Sequence, residues 1–146
     1  VPLFSWRRRW RPHAHVGDAL LALPFLLDTL GNLLGFYDEY PKTDDVLHAL
    51  NWVLLVLAFH AFRFRNTGHT RDAVFLGYGF GATAIIWWEA MEWAVSKDGW
   101  GGAGGLALTY EDTIGDLILS STGGLIGSLL GVWWLGRKAP PENDAV

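Results

Sequence analysis

Apolar and polar positions along this 146-residue chain fall into blocks rather than alternating finely. Four apolar stretches stand out: Gly17 to Phe36, Val46 to Phe64, Ala73 to Val95 and Ile114 to Gly136. At about 1.5 Å per helical residue each is long enough to cross roughly 30 Å of hydrocarbon. The second carries no formal charge before Arg63, the third only Glu89 and Glu92, and the fourth only Asp116. A water-facing helix needs a polar stripe, and so short a chain has no polar shell with which to cover four buried helices. The pattern therefore predicts an all-α integral membrane protein, a four-transmembrane-helix up-down bundle. It divides the chain into an N-terminal segment over 1–16, a transmembrane domain over 17–136 and a polar tail over 137–146.

The connections carry turn formers and charge: Pro41 and Lys42 in the first, Asn66-Thr67-Gly68 in the second, and a glycine-rich run from Ser96 to Gly105 in the third. Lysine and arginine in short loops mark the cytoplasmic side. Arg7, Arg8, Arg9 and Arg11, then Arg63, Arg65 and Arg71, then Arg137 and Lys138 lie at one side of the predicted bundle. Asp38, Glu39, Asp44, Asp45, Asp98, Glu111 and Asp112 lie at the other. Both termini are expected in the cytoplasm of a multi-pass protein of the plasma (inner) membrane. The first span is not expected to be a cleaved leader, since it contains Asp28 and Asn32 and ends in Tyr37-Asp38-Glu39-Tyr40.

Composition narrows the chemistry. Charged residues make up 18% of the chain and the net charge is -4, so no concentrated cationic face is available for nucleic acid. The one dense basic run is interleaved with Trp6 and Trp10 and reads as an anchor to membrane lipids. The absence of cysteine removes disulfides, thiolate nucleophiles and thiolate-ligated metals.

The remaining ionisable residues group by depth. Asp44 and His48 are four apart at the start of the second span, Glu89 and Glu92 three apart near the end of the third, and Asp112 and Asp116 four apart at the start of the fourth. Asp28 and Asn32, again four apart, lie in the outer half of the first. Each pair shares a helix face, and an up-down course brings all four to one level near the outer surface. A carboxylate within hydrocarbon costs about 2.5–3.5 kcal/mol on insertion scales and normally faces a partner inside the bundle. So many at one depth point to a bound divalent cation, or else to carboxylates that share protons. His48, Glu89, Glu92, Asp112 and Asp116 are the expected ligands, with Glu89 or Glu92 the candidate general base. Capping offers a plainer account of Asp44 and of Asp112 with Thr113, but not of Glu89 and Glu92 near a helix C-terminus. His60, deep in the second span, is expected to be a hydrogen-bonded core histidine. Gly123, Gly127 and Gly131 form a small-residue face suited to close helix packing, to a homodimer or to a larger membrane complex.

Three motifs, Asp44-x-x-x-His48, Trp88-Glu89-x-x-Glu92-Trp93 and Asp112-Thr113-x-x-Asp116 followed by a glycine-rich helix, resemble those of the YjdF-like bacterial inner-membrane proteins, a family of unknown function. More distantly their order is similar to that of the VanZ-like membrane proteins, with Asp45 and Ser120 standing where that pattern has lysine and asparagine. The resemblance implies a small helical membrane protein with a polar site and a role at the cell envelope. The residues themselves lead to an outer-face Asp/His/Glu site that holds a divalent cation and binds or acts on an amphiphilic envelope substrate. A non-catalytic small subunit of a larger membrane complex, or a cation- or proton-coupled carrier, are the alternatives.

Overall fold

A computed structural model describes residues 12–63, 70–97 and 109–136. The basic N-terminal run, the second connection, the glycine-rich third connection and the C-terminal tail lie outside the described residues. Five helices make up the rest: α1 (Pro12–Leu33), the single turn α2 (Phe36–Glu39), α3 (Thr43–Arg63), α4 (Thr70–Lys97) and α5 (Tyr110–Gly136). Three of them contain stretches long and apolar enough to cross a membrane: His15–Leu33, Thr43–Arg63 and Tyr110–Trp134. The fourth long helix, α4, is not among these, because glycines, tryptophans and two glutamates dilute its apolar character.

Local chemistry sets the ends of these elements. Gly35, at φ 71°, occupies the left-handed region that closes α1, and the chain turns directly into α2. The Thr43 hydroxyl donates to the Phe36 carbonyl at 2.9 Å, which ties α2 to the first turn of α3. At α5 the cap is Thr109, whose hydroxyl oxygen accepts the Asp112 N–H at 3.1 Å. Asp112 and Thr113, read from the sequence as capping candidates, thus sit inside the helix.

Packing follows rows of every fourth residue. On α4 the buried row is Ala73, Gly77, Gly81, Ile85 and Glu89; on α5 it is Asp116, Ser120, Gly124, Ser128 and Val132. On α3 it is Trp52, Val56 and His60, with His48 extending the row toward the N-terminus. Side chains four apart stack on one helix face, so each row is a continuous ridge or groove. Contacts between the rows fix the directions. Gly17 lies against Phe62 and Gly31 against Leu47, so α1 runs antiparallel to α3. Gly123 lies against Ala49, Gly127 against Val53 and Gly131 against His60, so α3 and α5 run parallel. Gly77 meets Ser128 and Gly81 meets Gly124, so α4 runs back along α5. The spatial order is α1, α3, α5, α4, with α3 and α4 in lighter contact.

The glycine stripe of α5 is therefore filled by α3 of the same chain. A Cβ at Gly123 would stand 2.1 Å from the Ala49 carbonyl oxygen, and one at Gly127 2.6 Å from that of Val53.

The distribution of polarity is inverted relative to a water-soluble fold. Phe25, Leu33, Phe75, Ile86, Trp87 and Ile118 project outward, whereas His60, Glu89, Asp116, Ser120 and Ser128 are buried. Hydrocarbon outside and polar groups inside are the arrangement a bilayer demands.

Candidate metal centre

The directions of the helices carry the C-terminal ends of α1 and α4 and the N-terminal ends of α3 and α5 to one end of the bundle. There α3 supplies Asp44 and His48 from consecutive turns of one face, and α5 supplies Asp116. The His48 Nε2 lies 3.7 Å from Asp44 Oδ1 and 3.8 Å from Asp116 Oδ1. Both gaps exceed a hydrogen bond, and the ligand atoms of all three residues lie within 4.8 Å of one another. Asp44 is half-exposed, His48 mostly buried and Asp116 only 4% exposed, so the group leads from the surface into the protein.

Ser120, one turn beyond Asp116 and buried, holds the other ring nitrogen: its Oγ is 3.2 Å from His48 Nδ1. The ring is thereby oriented with Nε2 toward the carboxylates. An imidazole hydrogen-bonded at one nitrogen and facing carboxylate oxygens with the other is the usual posture of a metal-ligating histidine. One imidazole and hard oxygen donors, without thiolate, suit a divalent ion of the zinc or manganese kind.

Glu89 ends the buried row of α4 and is 7% exposed, yet neither of its carboxylate oxygens has a hydrogen-bond partner. It stands at the same end of the bundle as the cluster, where the charges of Glu92, Asp116, His48 and Asp112 act on it. Among the described residues no lysine or arginine is within ion-pair distance of Asp44, Asp116 or Glu89. Buried carboxylates without a cationic partner are costly, so this end of the bundle is short of positive charge.

Other residues singled out from the sequence have local partners instead. Glu92, one turn after Glu89, accepts the Trp88 Nε1–H at 2.8 Å. Asp112 is exposed in the first turn of α5, where the helix dipole favours it. Asp28 accepts a hydrogen bond from the Tyr37 hydroxyl, and Asn32 Nδ2 donates to the Asp28 carbonyl at 3.1 Å. The Tyr37 phenol, outside the spans, is held above its ordinary pKa by burial and by the bond to Asp28, with Asp44 adding to the effect. Asp28 and Tyr37 thus flank Asp44 without joining its cluster.

Ser120 entered the sequence reading only as a position of the VanZ-like pattern; its place beside His48 could have been found from its four-residue offset from Asp116. Asn51, one turn below His48, has a buried Oδ1 with no partner, and nothing in the sequence marks it. His60 is a buried histidine bonded to Ser128, Nε2 to Oγ 3.0 Å. The Ser128 hydroxyl donates to the Val74 carbonyl at 2.8 Å, so its oxygen receives the His60 N–H, and the pair links α3, α5 and α4. An open groove of about 390 Å³ between Tyr78 and the Ile114, Ile118 and Leu125 face of α5 lies on the far side of that helix from Asp116. It takes no part in the cluster.

The apolar spans and the polar interior define a multi-pass helical membrane protein with a carboxylate-and-histidine group that is able to hold a metal ion. The chain belongs to the family described as "Predicted membrane protein (DUF2238)", which matches residues 1–137 and so includes every residue of the cluster. No curated protein and no solved structure matches the chain.

Proposed function

We propose that this protein crosses the plasma (inner) membrane four times, with both termini cytoplasmic, and holds one divalent cation at its outer end to bind or transform an amphiphilic cell-envelope substrate. The observation that carries the reading is the meeting of Asp44, His48 and Asp116 within 4.8 Å, from two helices, with no lysine or arginine among the described residues paired to them. The fourth span is α4. Its 28 residues cover about 42 Å at helical rise, and it runs antiparallel along α5 from Val74 to beyond Gly81. The loop charges support an outer position for the cluster end.

In the same reading residues 17–136 form the transmembrane domain, and the motif order around His48, Glu89 and Asp116 favours kinship with the YjdF-like proteins over the VanZ-like ones. A cation at the cluster would polarise a carbonyl or bridge to a phosphate, which the carboxylates alone would repel. Elemental analysis of the detergent-purified protein tests the core of the proposal. One divalent ion per chain is expected in the wild type, and none in His48→Ala or Asp116→Asn. A wild-type protein that neither carries nor takes up zinc or manganese would end it.

A further inference from the structure

We infer that the cation keeps a bound water and that Glu89, reaching in from α4, holds that water rather than the ion; this rests on the cation reading above. Asp44, His48 and Asp116 are three protein ligands, the number found where a metal site leaves a coordination position open for water or substrate. Glu89 does not join the set whose atoms lie within 4.8 Å of one another. Two ligands at about 2.1 Å on one ion are at most about 4.2 Å apart, and Glu89, outside the set, is less well placed than its three members to close onto the ion directly. A water on the ion extends its reach by one hydrogen bond, about 2.7 Å.

The chemistry of the unpartnered atoms agrees. Among the described residues the buried side-chain atoms without a partner are Glu89 Oε1, Glu89 Oε2 and Asn51 Oδ1. Asn51 Oδ1 and the oxygens of an ionised Glu89 are acceptors, so what they lack is a donor. A cation-bound water is a donor with two protons and a raised tendency to give one up. The row Ala73, Gly77, Gly81, Ile85 packs on α3 and α5 and turns Glu89, at its end, toward the same two helices that carry the cluster.

The arrangement equips the site for hydrolysis of an ester, amide or phosphoester of an amphiphile. In such a reaction Glu89 would take one proton from the water as the water oxygen bonds to the electrophilic carbon or phosphorus, and would pass that proton to the leaving oxygen or nitrogen as its bond breaks.

The test uses the full chain in detergent, loaded with Mn²⁺, and compares wild type, Glu89→Gln, Glu89→Ala and Asp116→Asn. Pulsed electron paramagnetic resonance in deuterated water reads exchangeable deuterons on the ion, and calorimetric titration reads affinity. Expected are a deuteron signal in the wild type, a changed signal in both Glu89 variants with affinity weakened by about 10–100-fold, and no binding in Asp116→Asn. Two results would overturn the inference: Glu89→Gln, which keeps the side-chain volume, losing the ion as completely as Asp116→Asn, or a wild-type ion with no exchangeable water. A wild type that binds no Mn²⁺ at all sinks the cation reading itself, a different outcome from either.

Discussion

Replacing Gly123 with alanine should empty the cation site although Gly123 touches no ligand. The new Cβ would stand 2.1 Å from the Ala49 carbonyl oxygen, 3.0 Å from its carbon and 3.2 Å from the Ala49 Cα. All three are backbone atoms, so no rotamer change relieves the clash, and α3 must withdraw from α5 by about 1 Å. Ser120 lies one turn away on the same helix. The same withdrawal stretches its 3.2 Å contact with His48 to about 4.2 Å, no longer a hydrogen bond. It also opens the 3.8 Å separation of His48 Nε2 and Asp116 Oδ1 to about 4.8 Å, beyond the roughly 4.2 Å that one ion bridges. Overpacking of this kind costs about 1–3 kcal/mol of stability in addition. Gly79→Ala is the control, since a Cβ there meets nothing within 4 Å. The assay is metal content per chain alongside thermal unfolding in the same detergent. If Gly123→Ala retains the ion and melts with the wild type, the close α3–α5 contact is not what assembles the site.

The remaining expectations concern separate parts of the molecule. Ser128→Ala removes the acceptor of the buried His60 N–H and should lower stability by about 1–3 kcal/mol. Ion content should stay unchanged, because His60 lies about 18 Å along α3 from His48; loss of the ion would show that the two ends are coupled. Saturation with the cation at about 100 times its dissociation constant should stabilise the wild type by about 2.7 kcal/mol, read as a shift in unfolding midpoint. Chelation should reverse the shift, and Asp116→Asn should show none. Glu92→Gln should leave ion affinity within about twofold, since the Trp88 N–H already occupies that carboxylate, and a full loss in titration would make Glu92 a ligand after all.

The position of the polar groups also explains why α4 reads as the least membrane-like of the long helices. Two of its three glycines lie where they let α3 and α5 approach: a Cβ at Gly77 would meet His60 Nε2 and Ser128 Oγ, and one at Gly81 would meet Val56. Its charge at Glu89 faces inward, while Phe75, Ile86 and Trp87 face outward. A window that averages over the whole circumference records the glycines and glutamates as polarity, although the outward surface is apolar.

The sequence alone determined the helical character of the chain and its membrane class. Length, hydropathy and the positions of charge along each stretch are one-dimensional quantities that the bilayer reads directly. Asp44 and His48 were legible as a pair for the same reason, since four residues of helix bring them to one face whatever packs beside it. Their meeting with Asp116 was decided only by the tertiary structure, because helical periodicity says which face a residue occupies but not which helix covers that face. The same gap explains Glu92, claimed by Trp88 within its own helix, and Asp28, claimed by Tyr37 once Gly35 turns the chain back. It explains the glycines of α5 as well: their spacing announced a close neighbour, and only packing could reveal that the neighbour is α3, at the distance that brings His48 to Ser120 and Asp116.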